Sequence, residues 1–285
     1  MGRMRAIGSL AEVTDGYDAL LCDVWGVIHD GRTVFPGVAD ALRDARARGM
    51  VVVLLTNVPR PSSTMPGALA RLGFPEDTWD AIVTSGDAIR VELARRAPGP
   101  VHRIGRAGDE GLWDGLGLRF TDLEEARFLA IAGLRGHADS PQAYLPVLRG
   151  ARARDLELVC ANPDIRVQVG QRLVFSAGAV AAQYEALGGR VVQAGKPDAA
   201  IYARAFQVLD AVAGCAVPRQ RVLAVGDGIT TDLLGADRQG MDSLFIATGM
   251  HGTSLLSGSR LDPAKVGAAL AQAGVRATYA MAGLA

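Results

Sequence analysis

The feature that most constrains this chain is a set of short apolar runs that do not alternate. Ala19 to Cys22, Met50 to Leu55, Ala81 to Val83 and Val222 to Val225 are each continuous, and Leu156 to Cys160 is broken only by Glu157. A strand with one wet face alternates apolar and polar residues; a strand covered on both faces does not. These runs therefore predict the buried strands of a parallel sheet. Helix-like segments such as "GVADALRDARARG" and "KPDAAIYARAFQVLDAV" lie between them. In the first, Val38, Leu42 and Ala45 share a face, and Gly49 stands where a C-terminal cap belongs. Strand, helix, strand in succession predicts an α/β fold built on a doubly wound parallel sheet.

The stretch 88–183 has a different texture, rich in Gly and Arg at its start, then strand-like at "RFLAIAGL" and helix-like from Pro141 to Arg154. It reads as a smaller α/β unit inserted into the first. The expected division is a core of 1–87 and 184–285 with an insert of 88–183. The length of 285 residues and the 49% hydrophobic content suit one large domain or two, with a sizeable core.

Thirty basic and thirty acidic residues cancel. That balance argues against a nucleic-acid footprint or a basic membrane patch. Cys22, Cys160 and Cys215 are scattered and odd in number, which argues for a reducing compartment and against a disulfide or zinc framework. No secretory or membrane-spanning run is visible, so the expected address is the cytoplasm. A homo-oligomer is left open.

Several strand-end residues can carry chemistry. In open parallel sheets, ligands sit beyond the carboxyl ends of the strands. Asp23 follows the first run and can be a nucleophile, a metal ligand or simply a turn cap. Thr56 and Asn57 follow the second run and can hold phosphate oxygens, although both are common turn residues. Lys196, one of only two lysines, precedes Pro197 at an expected helix start. It offers a compact charge for a phosphate, against the usual fate of lysine on a solvated surface. Asp227 and Asp232 flank a turn after "VLAVG"; two carboxylates there suit Mg²⁺, which prefers oxygen ligands. Of four histidines, His29 is the nearest in sequence to Asp23, and none has metal-ligand spacing. No G-x-S-x-G is present, so nothing favours a serine hydrolase.

The ordered set "CDVWGVIHDG", "LLTNVPRP", "TSGDA", "CANPD", "GKPDAAIY" and "VGDGITTDLLGA" resembles the haloacid dehalogenase superfamily, from about residue 18 to 250. It is most similar to subclass IIA, with its 4-nitrophenylphosphatase-like and phosphoglycolate-phosphatase-like members. The resemblance implies a Rossmann-like core with an inserted α/β cap and hydrolysis of a small phosphorylated metabolite through an aspartyl-phosphate. Asp23 would be the nucleophile and a Mg²⁺ ligand, with the backbone carbonyl of Trp25, Asp227 and Asp232 as the other metal positions. Lys196 would balance charge, Thr56 and Asn57 would bind phosphate, and Asn162 and Asp164 would face the substrate from the cap. The family's phosphatases usually place an acid two residues after the nucleophile, where this chain has Trp25. Three outcomes follow: restriction to good leaving groups, a proton from elsewhere such as His29 or Asp30, or a non-catalytic phosphate-ligand binder. Dehalogenation would want a metal-free site, which Asp227 and Asp232 oppose, and carbon–phosphorus cleavage would want a cap lysine.

Overall fold

The computed structural model describes residues 4–105, 110–170, 172–258 and 260–284. Among them, seven parallel strands form the larger sheet. They are β1 (Arg5–Ala6), β2 (Ala19–Cys22), β3 (Val51–Thr56), β4 (Ala81–Thr84), β11 (Val222–Gly226), β12 (Asp242–Ile246) and β15 (Tyr279–Met281). Their order across the sheet is β1-β15-β12-β11-β2-β3-β4. β2 lies inside it, with Ala19 opposite Val222 on one side and Val51 on the other.

The continuity of the apolar runs has a direct cause, because both faces of β2 are covered. Leu20 and Cys22 pack with Val38, Leu42 and Ala45 of α1 (Val38–Ala47) and Leu69 of α2 (Met65–Arg71). Ala19 and Leu21 pack on the opposite face with Ile201, Tyr202 and Leu209 of α7 (Ala199–Ala213) and Ala236 of α8 (Leu234–Gln239). The remaining end is closed by α9 (Pro263–Ala273) and the short hairpin of β13 (Leu256–Ser257) and β14 (Arg260–Leu261), where Val266 and Leu270 meet Phe245 and Ala280. Among the described residues no helix is long and apolar enough to cross a membrane.

The inserted unit has its own parallel sheet, ordered β10-β7-β6-β5. Its strands are β5 (Val101–Ile104), β6 (Phe128–Ile131), β7 (Glu157–Cys160) and β10 (Arg190–Gln193). One face packs on α5 (Leu145–Ala153) and α6 (Ala177–Ala186), the other on α3 (Ser85–Arg96) and α4 (Glu110–Trp113). An antiparallel hairpin, β8 (Arg166–Val169) and β9 (Arg172–Phe175), projects from it. The expected junction at 183 falls inside α6, where Val180, Ala181 and Tyr184 are buried under the small sheet. β10 then pairs with β7. We therefore propose that the chain returns to the core after Gln193. The short "RVVQ" strand holds only two apolar residues, too few for a sustained apolar run.

Leu42 is fully buried in the α1 face. Leu42→Ala should lower unfolding free energy by about 2–5 kcal/mol, read from denaturant titration. A loss under 1 kcal/mol would contradict this packing.

Candidate active site

The site is assembled by the C-terminal ends of the core strands. Asp23 follows β2, and its amide donates to Val225 O at 2.8 Å, so the turn begins only after the strand is secured. Lys196 is brought beneath it from the segment leading to α7. Its Nζ donates to Asp23 Oδ1 at 2.7 Å, to Asp232 Oδ1 at 2.7 Å and to Leu55 O at 2.9 Å. The lysine is 2% exposed, so the solvated-surface alternative fails. The expected helix start at Pro197 is corrected: α7 begins at Ala199, and Asp198 caps it by accepting from the Ala200 amide.

Asp227 and Asp232 flank the turn after β11. Asp227 Oδ2 accepts from the Met250 amide, and Asp232 Oδ2 accepts from the Gly228 amide at 3.1 Å. Asp23, Asp227 and Asp232 each offer an oxygen within 4.8 Å of the others, and all three are buried. Gly26 makes this approach feasible. It has φ +90°, and a Cβ there would lie 2.0 Å from Asp227 Oδ2.

Asn57 is a junction. Its Oδ1 accepts from the Lys196 amide at 2.8 Å, and its Nδ2 donates to Lys196 O at 3.2 Å and to Asp164 Oδ1 at 2.8 Å. Asp164 is joined to Asn162, whose Oδ1 accepts from its amide at 2.9 Å. Thr56 is buried, with its hydroxyl accepting from the Val58 amide at 3.3 Å. Asp23, Thr56, Asn57, Asn162, Asp164, Lys196, Asp227 and Asp232 therefore meet in one place.

Trp25 is used differently from an acid. Its Nε1–H donates to Gln168 O in β8. One edge meets the His29 ring at a centroid distance of 5.1 Å. Gly31 sits against the indole so closely that a Cβ would approach within 2.4 Å. The Gly170 amide also donates to Asp30 O at 3.0 Å. The hairpin is thus fastened to the loop that follows Asp23.

A cavity of about 270 Å³ lies between the two units. Asp23, Thr56, Asn57, Lys196, Asp227 and Asp232 line it from the core, and Leu134, Asn162, Asp164 and Val169 from the insert. Arg60, His137 and Arg166 also line it and were not singled out from the sequence. They are exposed charged or polar residues, and only the docking of the two units marks them; Arg166 lies over the Phe175 ring at 4.6 Å. His29 lines the cavity, whereas Asp30 does not.

A family model described as haloacid dehalogenase-like hydrolase matches residues 20–119, and a HAD-hydrolase-like model matches residues 193–273. A crystal structure of a haloacid dehalogenase-like hydrolase from Brucella suis 1330 superposes with a TM-score of 0.87 and 38% identity. It covers 98% of this chain and 100% of that one. The chain belongs to the haloacid dehalogenase-like hydrolases. Among relatives, the D-glycerol 3-phosphate phosphatase of Mycobacterium tuberculosis is 28% identical over 250 residues, covering 85% of this chain. The chain spans 66% of that relative's length. The ribonucleotide monophosphatase NagD of Escherichia coli K12 is 25% identical over 239 residues, covering 81% of this chain and 88% of its own.

In this hydrolase the electrostatics explain what the site can hold. Burial, then the neighbouring Asp232 charge, pushes Asp23 well above the ordinary carboxyl range. The same two causes push Asp227 up to about 7. Burial disfavours the Lys196 charge, but Asp23 and Asp232 outweigh it and raise its pKa. Three buried carboxylates thus face one ammonium. An oxygen-only donor set with excess negative charge fits a hard divalent cation.

A carboxyl whose folded pKa is raised binds its proton more tightly in the folded state. Its contribution to stability therefore falls as pH rises from the unfolded value near 4 through the folded value. The raised Lys196 pKa acts only above the ordinary lysine range and does not change this window. The metal-free protein should melt at a higher temperature at pH 6 than at pH 8. Adding Mg²⁺ should raise the melting temperature more at pH 8 than at pH 6. Thermal scans with chelator and with Mg²⁺ check both; a stability that rises from pH 6 to 8 without metal would refute the assignment.

Proposed function

We propose that this chain is a Mg²⁺-dependent phosphate-monoester hydrolase acting on a small phosphorylated metabolite. The observation that carries the reading is the buried Lys196 ammonium between Asp23 and Asp232, with Asp227 beside them, at the carboxyl ends of parallel strands. Asp23, Asp227, Asp232 and the backbone carbonyl of Trp25 would hold Mg²⁺. When bound, the ion would offset the carboxylate charge and polarise a phosphoryl oxygen.

The chain's own groups divide the remaining work. Lys196 engages Asp23 Oδ1, and no donor reaches Oδ2 among the described residues. Oδ2 is the oxygen that attacks phosphorus. The new O–P bond forms as the ester O–P bond breaks, leaving an aspartyl-phosphate. Water then attacks that phosphorus, phosphate leaves, and the Asp23 carboxylate is regenerated. Lys196 holds Asp23 in place and offsets phosphoryl charge. Thr56 positions the phosphate, Asn57 acts on it through the Lys196 backbone and Asp164 that its side chain holds, and Asn162 and Asp164 face the ester group from the cap.

The named relatives act on different alcohols, glycerol 3-phosphate in one and ribonucleotide monophosphates in another. What they share is the phosphate ester, and the proposal is drawn at that level. Trp25 favours a second reading, a phosphate-ligand binder without turnover, since it cannot protonate a leaving group. The two separate in one assay. The wild type with Mg²⁺ is expected to release nitrophenol from 4-nitrophenyl phosphate, and Asp23→Asn to fall to background. No wild-type turnover on any activated phosphate would leave only the binder.

A further inference from the structure

With Trp25 two residues after Asp23, the leaving alcohol must take its proton from another group, and the cavity offers few. Lys196 is committed to Asp23, Asp232 and Leu55 O. Asp227 and Asp232 belong to the carboxylate cluster. His29 is buried, and its Nδ1 accepts from the Gly31 amide at 2.9 Å. That nitrogen therefore carries no proton, the ring's one proton is on Nε2, and the neutral ring is no acid. Asp30 lies off the cavity and its Oδ1 accepts from the Arg32 and Thr33 amides. Arg60 and Arg166 do not release protons. Two lining groups remain, Asp164 and the exposed His137.

We propose that Asp164, carried on the cap, is the general acid and base of this site, in place of a carboxyl at position 25. The proposal rests on the phosphatase reading above. Asp164 Oδ1 accepts from Asn57 Nδ2 at 2.8 Å, and no donor reaches Oδ2 among the described residues. Its backbone is fixed on both sides: its amide donates to Asn162 Oδ1 at 2.9 Å, and its carbonyl accepts from the Gly178 amide at 3.1 Å. The start of α6 presses on the same loop, since a Cβ on Gly178 would come within 2.1 Å of Pro163 O. Asn57 is itself held at both ends by the Lys196 backbone. His137 has no comparable tether to the core among the described residues.

Trp25 completes the arrangement. Its indole N–H fastens β8, the strand into which Asp164 leads, to the loop after Asp23. The residue that removes the usual acid thus anchors the segment that carries the replacement. The charged groups facing Asp164 are Lys196, Asp232 and Asp227. Burial pushes its pKa up to about 6, against the pull of Asn57 and Lys196. That value lets both protonation states form near neutral pH, as acid–base exchange requires.

In the first step Asp23 Oδ2 bonds to phosphorus, the ester O–P bond breaks with its electron pair going to the leaving oxygen, and the Asp164 carboxyl gives that oxygen its proton. In the second, the Asp164 carboxylate takes a proton from water as the water oxygen bonds to phosphorus. The bond from phosphorus to Asp23 then breaks, and inorganic phosphate departs. Asp164 ends protonated, as it began.

The test compares wild type, Asp164→Asn and His137→Asn on 4-nitrophenyl phosphate and an alkyl phosphate with Mg²⁺. Nitrophenolate leaves unprotonated, so Asp164→Asn should show a burst of about one equivalent followed by slow turnover. On the alkyl ester it should lose roughly 10²–10⁴-fold in kcat with no burst. His137→Asn should show no burst on 4-nitrophenyl phosphate. Asp164→Ser, expected to give the same burst, guards against a folding defect in the asparagine variant. An equal loss on both substrates without a burst, or a burst in His137→Asn instead, would overturn the proposal. No turnover by the wild type would overturn the phosphatase reading, and this one with it.

Discussion

The structure of the site depends on one buried ammonium. Lys196 Nζ is shared among two carboxylates and a strand carbonyl, with almost no water around it. Removing charges from water costs several kcal/mol per ion, and attraction offsets this only where the geometry is good and the remaining donors are satisfied. All three protons of this ammonium have an acceptor. The contacts require β2, β3 and the turn after β11 to end at a common level. Parallel pairing in the observed register provides that, with Val225 and Leu54 both opposite Cys22.

The same lysine reaches the inserted unit through its backbone. Asn57 reads both the amide and the carbonyl of Lys196 and passes its remaining donor to Asp164. Core and cap therefore communicate through side-chain amide geometry. Gly195 is required at this crossing, since a Cβ would lie 2.6 Å from Asn57 Oδ1 and 2.7 Å from Pro163. A second fastening, from Trp25 to β8, ties the loop after Asp23 to the hairpin. Two independent links hold the cap against the same few residues that carry the carboxylate cluster.

The core was legible because its physical signal is local. Strands covered on both faces are apolar through their interiors, and β2, β3, β4 and β11 read that way, as does β7 after Glu157 at its start. Acids and amides directly after such runs mark a sheet's carboxyl edge, which placed Asp23, Asn57 and Asp227. The hairpin was not legible, because β8 and β9 are partly exposed along most of their length and give no sustained run. Nor was the anchoring role of Trp25, which depends on a main-chain carbonyl 143 positions away. Arg60, Arg166 and His137 gain meaning only from the docking of the two units. The misplaced helix start at Pro197 has a simpler cause. Proline suits a first turn, but Asp198 is the better cap and moves the start beyond it.

The placement of the cavity follows from both sheets obeying one rule. Ligands in open parallel sheets sit beyond the carboxyl ends of the strands, where loops diverge and helix N-termini gather. In the core, Asp23, Thr56 and Asp227 stand at those ends. In the cap, Leu134 follows β6, and Asn162 and Asp164 follow β7, so its carboxyl edge lines the same cavity. Two carboxyl edges facing each other enclose a site whose charged floor comes from one sheet and whose roof comes from the other. Chemistry held on the roof can be exchanged without disturbing the floor. A chain that gives position 25 to an anchor therefore still has a second edge from which a proton can be supplied.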